Sequence, residues 1–301
     1  MLLEGRIRRG RVFRPAWAAL CGAIASGGFH WGTTDLVRLV AVMFLAEVGW
    51  ASVWAAVTSP AWADPLRRWA ILRAQLEQPP GPPPTEGPQQ GAFWLPYLRE
   101  DAPGGALARW LAALRAWWAD SARPVVGPVL NGLLIATLLS LLLATLLGPR
   151  LVLLTLAAFA TTQLAFALSP RPGQPGAISQ AVVWVGLPWL AGHVAFSPLN
   201  FPSTGLALAY SLAIAGLIRT TDDRRWVNLA LLNLGQALAI AILLAGGQVP
   251  GAGVVGLLAF PIVVMQPWLR RGLAGESFVR RAQWPLMLAM LVSVVGNVWG
   301  N

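Results

Sequence analysis

Between Arg123 and Arg150 the chain reads VVGPVLNGLLIATLLSLLLATLLG, residues 125–148, without one charged side chain. Wound as an α-helix, a stretch of that length rises about 36 Å, and crossing the hydrocarbon core of a bilayer takes about 20 apolar residues. The segment reads as a transmembrane helix, and the composition extends that reading to the whole chain. Of 301 residues, 56% are hydrophobic and only 11% charged, with a mean hydropathy of +0.60. A soluble fold of this size has no solvated exterior to build from such a composition. A soluble enzyme and a nucleic-acid binder are therefore excluded as function classes, despite a net charge of +10.

Working outward for similar runs predicts an all-α polytopic membrane protein with nine spans: Pro15–Phe29, Thr34–Val57, Val125–Gly148, Leu151–Ser169, Ala177–Phe196, Thr204–Ile218, Trp226–Ala245, Gly253–Leu269 and Gln283–Trp299. Turn and breaker residues separate them at Ser59-Pro60, Gly148-Pro149, Ser169-Pro170, Ser197-Pro198 and Val249-Pro250-Gly251. The N-terminal arginines followed by an apolar run have the outline of a signal peptide. Leu20 before Cys21 fits a lipobox poorly, however, and the segment is expected to stay as a membrane anchor. With Cys21 the sole cysteine, neither an internal disulfide nor a cysteine metal cluster can form.

All 22 basic residues are arginine, and their placement tests the span assignment. Five lie in the N-terminal tail and seven in the second loop, at Arg67, Arg68, Arg73, Arg99, Arg109, Arg115 and Arg123. Arg171 is in the fourth loop; Arg219, Arg224 and Arg225 are in the sixth, and Arg270, Arg271, Arg280 and Arg281 in the eighth. The opposite side has Arg150 alone, so the bias is twenty to one, with Arg38 inside the second span. By the positive-inside rule the N-terminus is expected in the cytoplasm and the C-terminus outside, in a cytoplasmic (inner) membrane. The positive charge then faces anionic lipid, so the partners are membrane lipids and other membrane-protein subunits, with no nucleic acid.

The chain is expected to form a single transmembrane domain over 1–301, with one large cytoplasmic loop at 59–124. The Pro-rich part of that loop, 79–88, reads as an extended linker. Residues 104–120 place Leu107, Trp110, Leu111, Leu114, Trp117 and Trp118 at helical spacing, which predicts an interfacial amphipathic helix.

Several stretches carry a family likeness: Arg14-Pro15-Ala16-Trp17 at the opening of the first span, Leu232-Asn233-Leu234-Gly235-Gln236 in the seventh, and Gly275-Glu276-Ser277-Phe278-Val279-Arg280-Arg281-Ala282-Gln283 before the last. With nine spans and long basic loops after the second and sixth, the chain resembles the UbiA superfamily of intramembrane prenyltransferases, which includes chlorophyll and bacteriochlorophyll synthases. The resemblance implies a UbiA-like helical bundle. It also implies two acidic motifs, Asn-x-x-x-Asp-x-x-x-Asp after the second helix and Asp-x-x-x-Asp after the sixth. Carboxylates four apart share a helix face, and there they hold the Mg²⁺ ions that grip an isoprenoid diphosphate.

The sequence departs from that pattern at both places. Near the end of the second span the only carboxylate is Asp64, and counting back by fours finds Pro60 and Ala56. After the sixth, Asp222 and Asp223 are adjacent, so their side chains point to different faces, and Arg224 and Arg225 stand beside them. The leading expectation is a catalytically degenerate UbiA-like protein that binds an isoprenoid or (bacterio)chlorophyll-like lipid as an accessory or scaffold subunit of a membrane complex, with photosynthesis as one setting. The alternative is an active prenyltransferase acting on an aromatic or chlorin acceptor. Its remnant acids Asp64, Asp222, Asp223 and Glu47 would rebuild a metal site, and Mg²⁺ is needed only in that case.

Ionisable groups inside spans are costly and are functional candidates. Asp35 and Arg38 are spaced to pair. Glu47, near the middle of the second span, is read either as a satisfied acid between helices or as a proton or ligand contact. His193 is a candidate ligand for the Mg of a chlorin, with Gly192 easing approach of the macrocycle, against the alternative of an interhelical hydrogen bond. His30 is a weaker candidate of the same kind. Asn131, Gln163, Asn228, Asn233, Gln236 and Gln266 are read as hydrogen-bonding glue between helices.

Overall fold

A computed structural model describes residues 14–77, 103–169, 176–221, 225–270 and 275–299, and every regular element among them is helical. Helix α1 is Pro15–Ala25; α2 runs Thr33–Phe44, through a π turn at Leu45–Trp50, to Ala51–Val57. Helix α3 is Ala63–Glu77, α4 is Pro103–Trp117, and a π turn at Trp118–Ala122 leads into α5, Arg123–Leu147. Helix α6 is Pro149–Ala167, and α7 runs Ala177–Ala181, through a π turn at Val182–Gly186, to Leu187–Phe196. Then follow α8 (Phe201–Ile218), α9 (Arg225–Ala245), α10 (Val249–Arg270) and α11 (Gly275–Trp299).

Among the described residues eight helices are long and apolar enough to cross a membrane, against the nine spans expected. The difference is α1, which has 11 residues and ends at Ala25 rather than Phe29. Gly27 adopts φ 66°, a left-handed conformation open to glycine, and the helix stops there. At about 1.5 Å per residue α1 covers only half of a hydrocarbon core.

Helices α7 and α8 are the most enclosed, with 56% and 61% of their apolar windows buried, against 17% for the window in Trp110–Leu147. Helix α7 touches α1, α2, α6 and α8, while α1 also lies against α2 and α11. Two cores result. One joins α1 and α7 to α8, α9, α10 and α11; the other joins them to α2, α5 and α6, and the Trp184 side chain packs against both.

Close backbone approach holds α1 in the centre. A Cβ on Gly22 would meet the Trp189 backbone of α7, and one on Gly192 would meet the Ala19 backbone of α1. The small-residue run PAWAALCGAIA is what permits this, since helices in lipid gain contact chiefly by approaching closely. On the outside, Leu134, Leu146, Leu153, Leu257 and Phe260 are exposed, a surface suited to lipid.

The helix expected at 104–120 is present as α4, but it is not separate from the membrane span. It continues through the π turn into α5, and the run 103–147 is helical throughout. Forty-five residues rise about 67 Å, roughly twice the hydrocarbon thickness, so one end stands outside the membrane. Helix α3 packs beside it through aromatic rings: Trp69 meets Trp110 at 6.0 Å and Trp117 at 5.3 Å, and Trp117 Nε1 donates to the Pro65 carbonyl at 2.8 Å. The Pro-rich linker at 79–88 lies outside the described residues.

Candidate functional site

The corner after α2 is where a first acidic motif would sit. Proline cannot continue a helix interior, and the chain breaks accordingly. Thr58 leaves helical geometry, Ser59 is extended with ψ 134°, and Pro60 opens a 3-10 turn that ends at Trp62. Local bonds close the corner: Thr58 Oγ1 donates to the Trp54 carbonyl at 2.7 Å, and Ser59 Oγ accepts from the Ala61 N–H at 3.2 Å. Trp62 Nε1 donates to the Ala56 carbonyl at 2.9 Å, laying an indole over the helix end. Ala56 belongs to α2, Pro60 to the turn and Asp64 to α3. The three positions do not share one continuous helix face, and Ala56 and Pro60 offer no side-chain oxygen.

Asp222 and Asp223 lie outside the described residues, as does Arg224. Before them, α8 ends in a 3-10 turn, Arg219–Thr221, tied to α9 by Asn228 Nδ2 donating to the Arg219 carbonyl at 2.7 Å. Among the described residues no three or more His, Cys, Asp or Glu side chains gather where they could hold a metal ion.

Glu47 is half-buried in the π turn of α2, and its Oε2 accepts the backbone N–H of Ala16 at 3.3 Å. Ala16 lies in the first turn of α1, whose N-cap residue Arg14 supplies no side-chain bond. The carboxylate therefore serves an orphan donor at the positive end of the helix dipole.

His193 is wholly buried in α7, with Nε2 2.9 Å from the Pro198 carbonyl. A carbonyl only accepts, so Nε2 carries the proton and Nδ1 presents its lone pair, without a hydrogen-bond partner. The space beside Gly192 is taken by α1. His30 is exposed in the α1–α2 connection: its N–H donates to Asp35 Oδ2 at 2.9 Å, and its Nδ1 lies 3.9 Å from the same carboxylate. Asp35 is thus engaged by His30 rather than by Arg38.

The structure also gathers groups that the sequence did not single out as a site. Tyr210 on α8 and Gln236 on α9 meet Val255, Leu258 and Ile262 of α10 and Leu286 of α11 around a narrow, tightly packed crevice. The Tyr210 hydroxyl donates to the Ala289 carbonyl at 2.9 Å, and its ring stacks on Trp189 at 5.7 Å. Periodicity alone does not reveal this grouping. Its one sequence signal is a tyrosine in the middle of an otherwise apolar helix.

Two curated relatives can then be set beside this architecture. The bacteriochlorophyll synthase 34 kDa chain of Chloroflexus aurantiacus is 27% identical over 257 residues, covering 82% of this chain and 68% of the relative. The chloroplastic chlorophyll synthase of Avena sativa is 24% identical over 272 residues, covering 83% of this chain and 63% of the relative. No protein-family model matches the chain, and no solved structure matches it. Both relatives are UbiA-superfamily prenyltransferases, and the chain is homologous to them over most of its length at modest identity.

Proposed function

We propose that this chain is a UbiA-type membrane bundle that holds an isoprenoid or pigment-like lipid without transferring it, and serves as an accessory or scaffold subunit of a membrane assembly. The observation that carries this reading is the corner after α2. The helix ends at Val57, Pro60 starts a new turn, and the Trp62 indole is bonded to the Ala56 carbonyl at the corner. Ionising an allylic diphosphate inside a low-dielectric bundle without a divalent cation has no source of charge stabilisation. The names of the two relatives support a chlorophyll-type lipid as the ligand class. The cytoplasmic N-terminus, the outward C-terminus and the inner-membrane location belong to the same proposal and rest on the arginine distribution.

The test uses protein purified in mild detergent, with bound lipid and pigment identified by mass spectrometry and absorbance. Geranylgeranyl diphosphate, Mg²⁺ and a chlorin acceptor are then supplied. Retention of a prenyl or pigment lipid with no pyrophosphate release supports the proposal.

Similarity to two synthases over four fifths of the chain favours a second reading, an active prenyltransferase with a rebuilt metal site. That reading requires Mg²⁺-dependent pyrophosphate release, abolished by Asp64→Asn or by Asp222→Asn with Asp223→Asn.

A further inference from the structure

Two of the amides expected to tie helices together have nothing to tie within the chain. Asn228, Asn233 and Gln266 are hydrogen-bonded. Asn131 on α5 and Gln163 on α6, by contrast, make no side-chain hydrogen bond among the described residues. Both are exposed, and no other described Asn or Gln in the eight helices apolar enough to cross a membrane is. They also fall at nearly one level on neighbouring helices that pack together. Counted from Gly148, where α5 gives way to α6, Asn131 stands about 26 Å down one helix and Gln163 about 22 Å down the other. An amide facing lipid tails without a partner is costly.

Asn131 lies in the middle of the outward face of α5. Asn131, Ile135, Leu138, Leu142 and Thr145 are all exposed and follow one another at steps of four, three, four and three, the seam along which paired helices meet. Val126, Ala136, Ser140 and Ala144 form the opposite face and are buried. The Thr145 hydroxyl is already spent on the Leu142 carbonyl at 2.7 Å. One turn before Asn131, a Cβ on Gly127 would meet only Arg123 of its own helix, so a second backbone can come close there. No charged residue lies between Arg123 and Arg150 to repel a like surface.

We infer that this face is covered by a second copy of the chain, in a two-fold dimer whose axis runs along the membrane normal beside α5. Copies inserted the same way share the depth of every residue. The axis therefore sets α5 against α5 in parallel and brings Asn131 to its own counterpart. A carboxamide both donates and accepts, so the pair is self-complementary, each N–H end meeting the other's carbonyl. The contact is independent of what the bundle holds.

The full chain is labelled at its C-terminus with a donor or an acceptor fluorophore and reconstituted in phosphatidylcholine liposomes over a range of protein-to-lipid ratios. Saturable energy transfer that fits a dimer is expected. Asn131→Leu should weaken association about three- to thirtyfold, and Asn131→Gln, which keeps the amide, should stay closer to the parent. Neither replacement removes a hydrogen bond within the chain, so neither should lower the melting temperature. Oxidation in the same liposomes should cross-link Leu138→Cys, on the seam, and not Leu257→Cys, which is exposed on α10. Should Asn131→Leu fail to fold, the cross-links decide alone. A parent that stays monomeric at every ratio overturns the dimer. Association unchanged by Asn131→Leu, or cross-linking at Leu257→Cys but not at Leu138→Cys, overturns the α5 face. A photoreactive group at Leu138 that, in the membranes of the producing cell, joins a different polypeptide and never a second copy overturns the self-pairing.

Discussion

Asn233 of α9 and Gln266 of α10 join through both amides: Asn233 Nδ2 donates to Gln266 Oε1 at 3.2 Å, and Gln266 Nε2 donates to Asn233 Oδ1 at 2.7 Å. Either amide alone on an apolar interface would be an unsatisfied polar group. Together they fix the register of two helices whose remaining contacts are largely aliphatic.

Removing one partner strands the other. Asn233→Leu and Gln266→Leu should each lower stability by about 1 kcal/mol, within the range of hydrogen bonds between membrane helices. The double replacement should cost less than the sum of the two. Thermal unfolding in detergent, arranged as a double-mutant cycle, measures the coupling; strict additivity would show that the pair contributes nothing.

The α1–α7 contact makes a sharper demand. Gly192→Ala places a methyl against the Ala19 backbone, which cannot rotate away, whereas Gly132→Ala meets nothing within 4 Å. The first should destabilise by about 1–3 kcal/mol as an overpacked contact. The second should be neutral or slightly stabilising, because alanine favours helix. Folded yield and melting temperature distinguish them.

Glu47 acts on the start of α1 as an acceptor. Glu47→Gln keeps an oxygen for the Ala16 N–H and should cost a few tenths of a kcal/mol, the part owed to charge at the helix end. Glu47→Leu leaves that N–H bare and should cost about 0.5–2 kcal/mol, as other lost N-terminal caps do. If the glutamine variant is as damaged as the leucine variant, the charge itself carries a further role.

Topology can be read with cysteine labels, since Cys21, the chain's one thiol, is buried. A membrane-impermeant maleimide added to intact cells should label His30→Cys and leave Arg73→Cys unmodified until the membrane is opened. The reverse pattern would invert the orientation deduced from the arginines.

Asp64 offers a direct comparison of the two functional readings. Where the lipid is held without a metal, Asp64→Asn should leave its retention unchanged within about twofold, with or without chelator. A Mg²⁺-linked loss of retention would point instead to a working diphosphate clamp.

The apolar spans were legible in advance because a membrane helix declares itself through length and transfer free energy, both properties of one segment. The pairing of Asn233 with Gln266 was half legible: both residues read as glue, but their being partners did not. The break at Ser59-Pro60 was visible as a breaker, and with it the loss of a continuous face from Ala56 to Asp64. The shortness of α1 was not, because apolar residues continue past Ala25 to Phe29 and only the left-handed Gly27 ends the helix. The continuity of α4 into α5 was equally hidden, since the expected amphipathic helix stopped at 120 and the next span began at Val125, whereas Trp118–Ala122 forms a π turn that joins them.

Residue order alone decided that this chain is built largely of helices apolar enough to cross a bilayer, and that a spaced pair of acids is missing from two loops. Those are sums over neighbours in sequence, set by side-chain hydrophobicity and charge. Only the folded bundle decided that α1 is wedged against α7 at Gly22 and Gly192, that Glu47 meets Ala16, and that the Gln236 Nε2 faces a narrow crevice without a partner. Those are contacts between segments tens to hundreds of residues apart. Their geometry follows from how closely whole helices can approach, a property that no single segment contains.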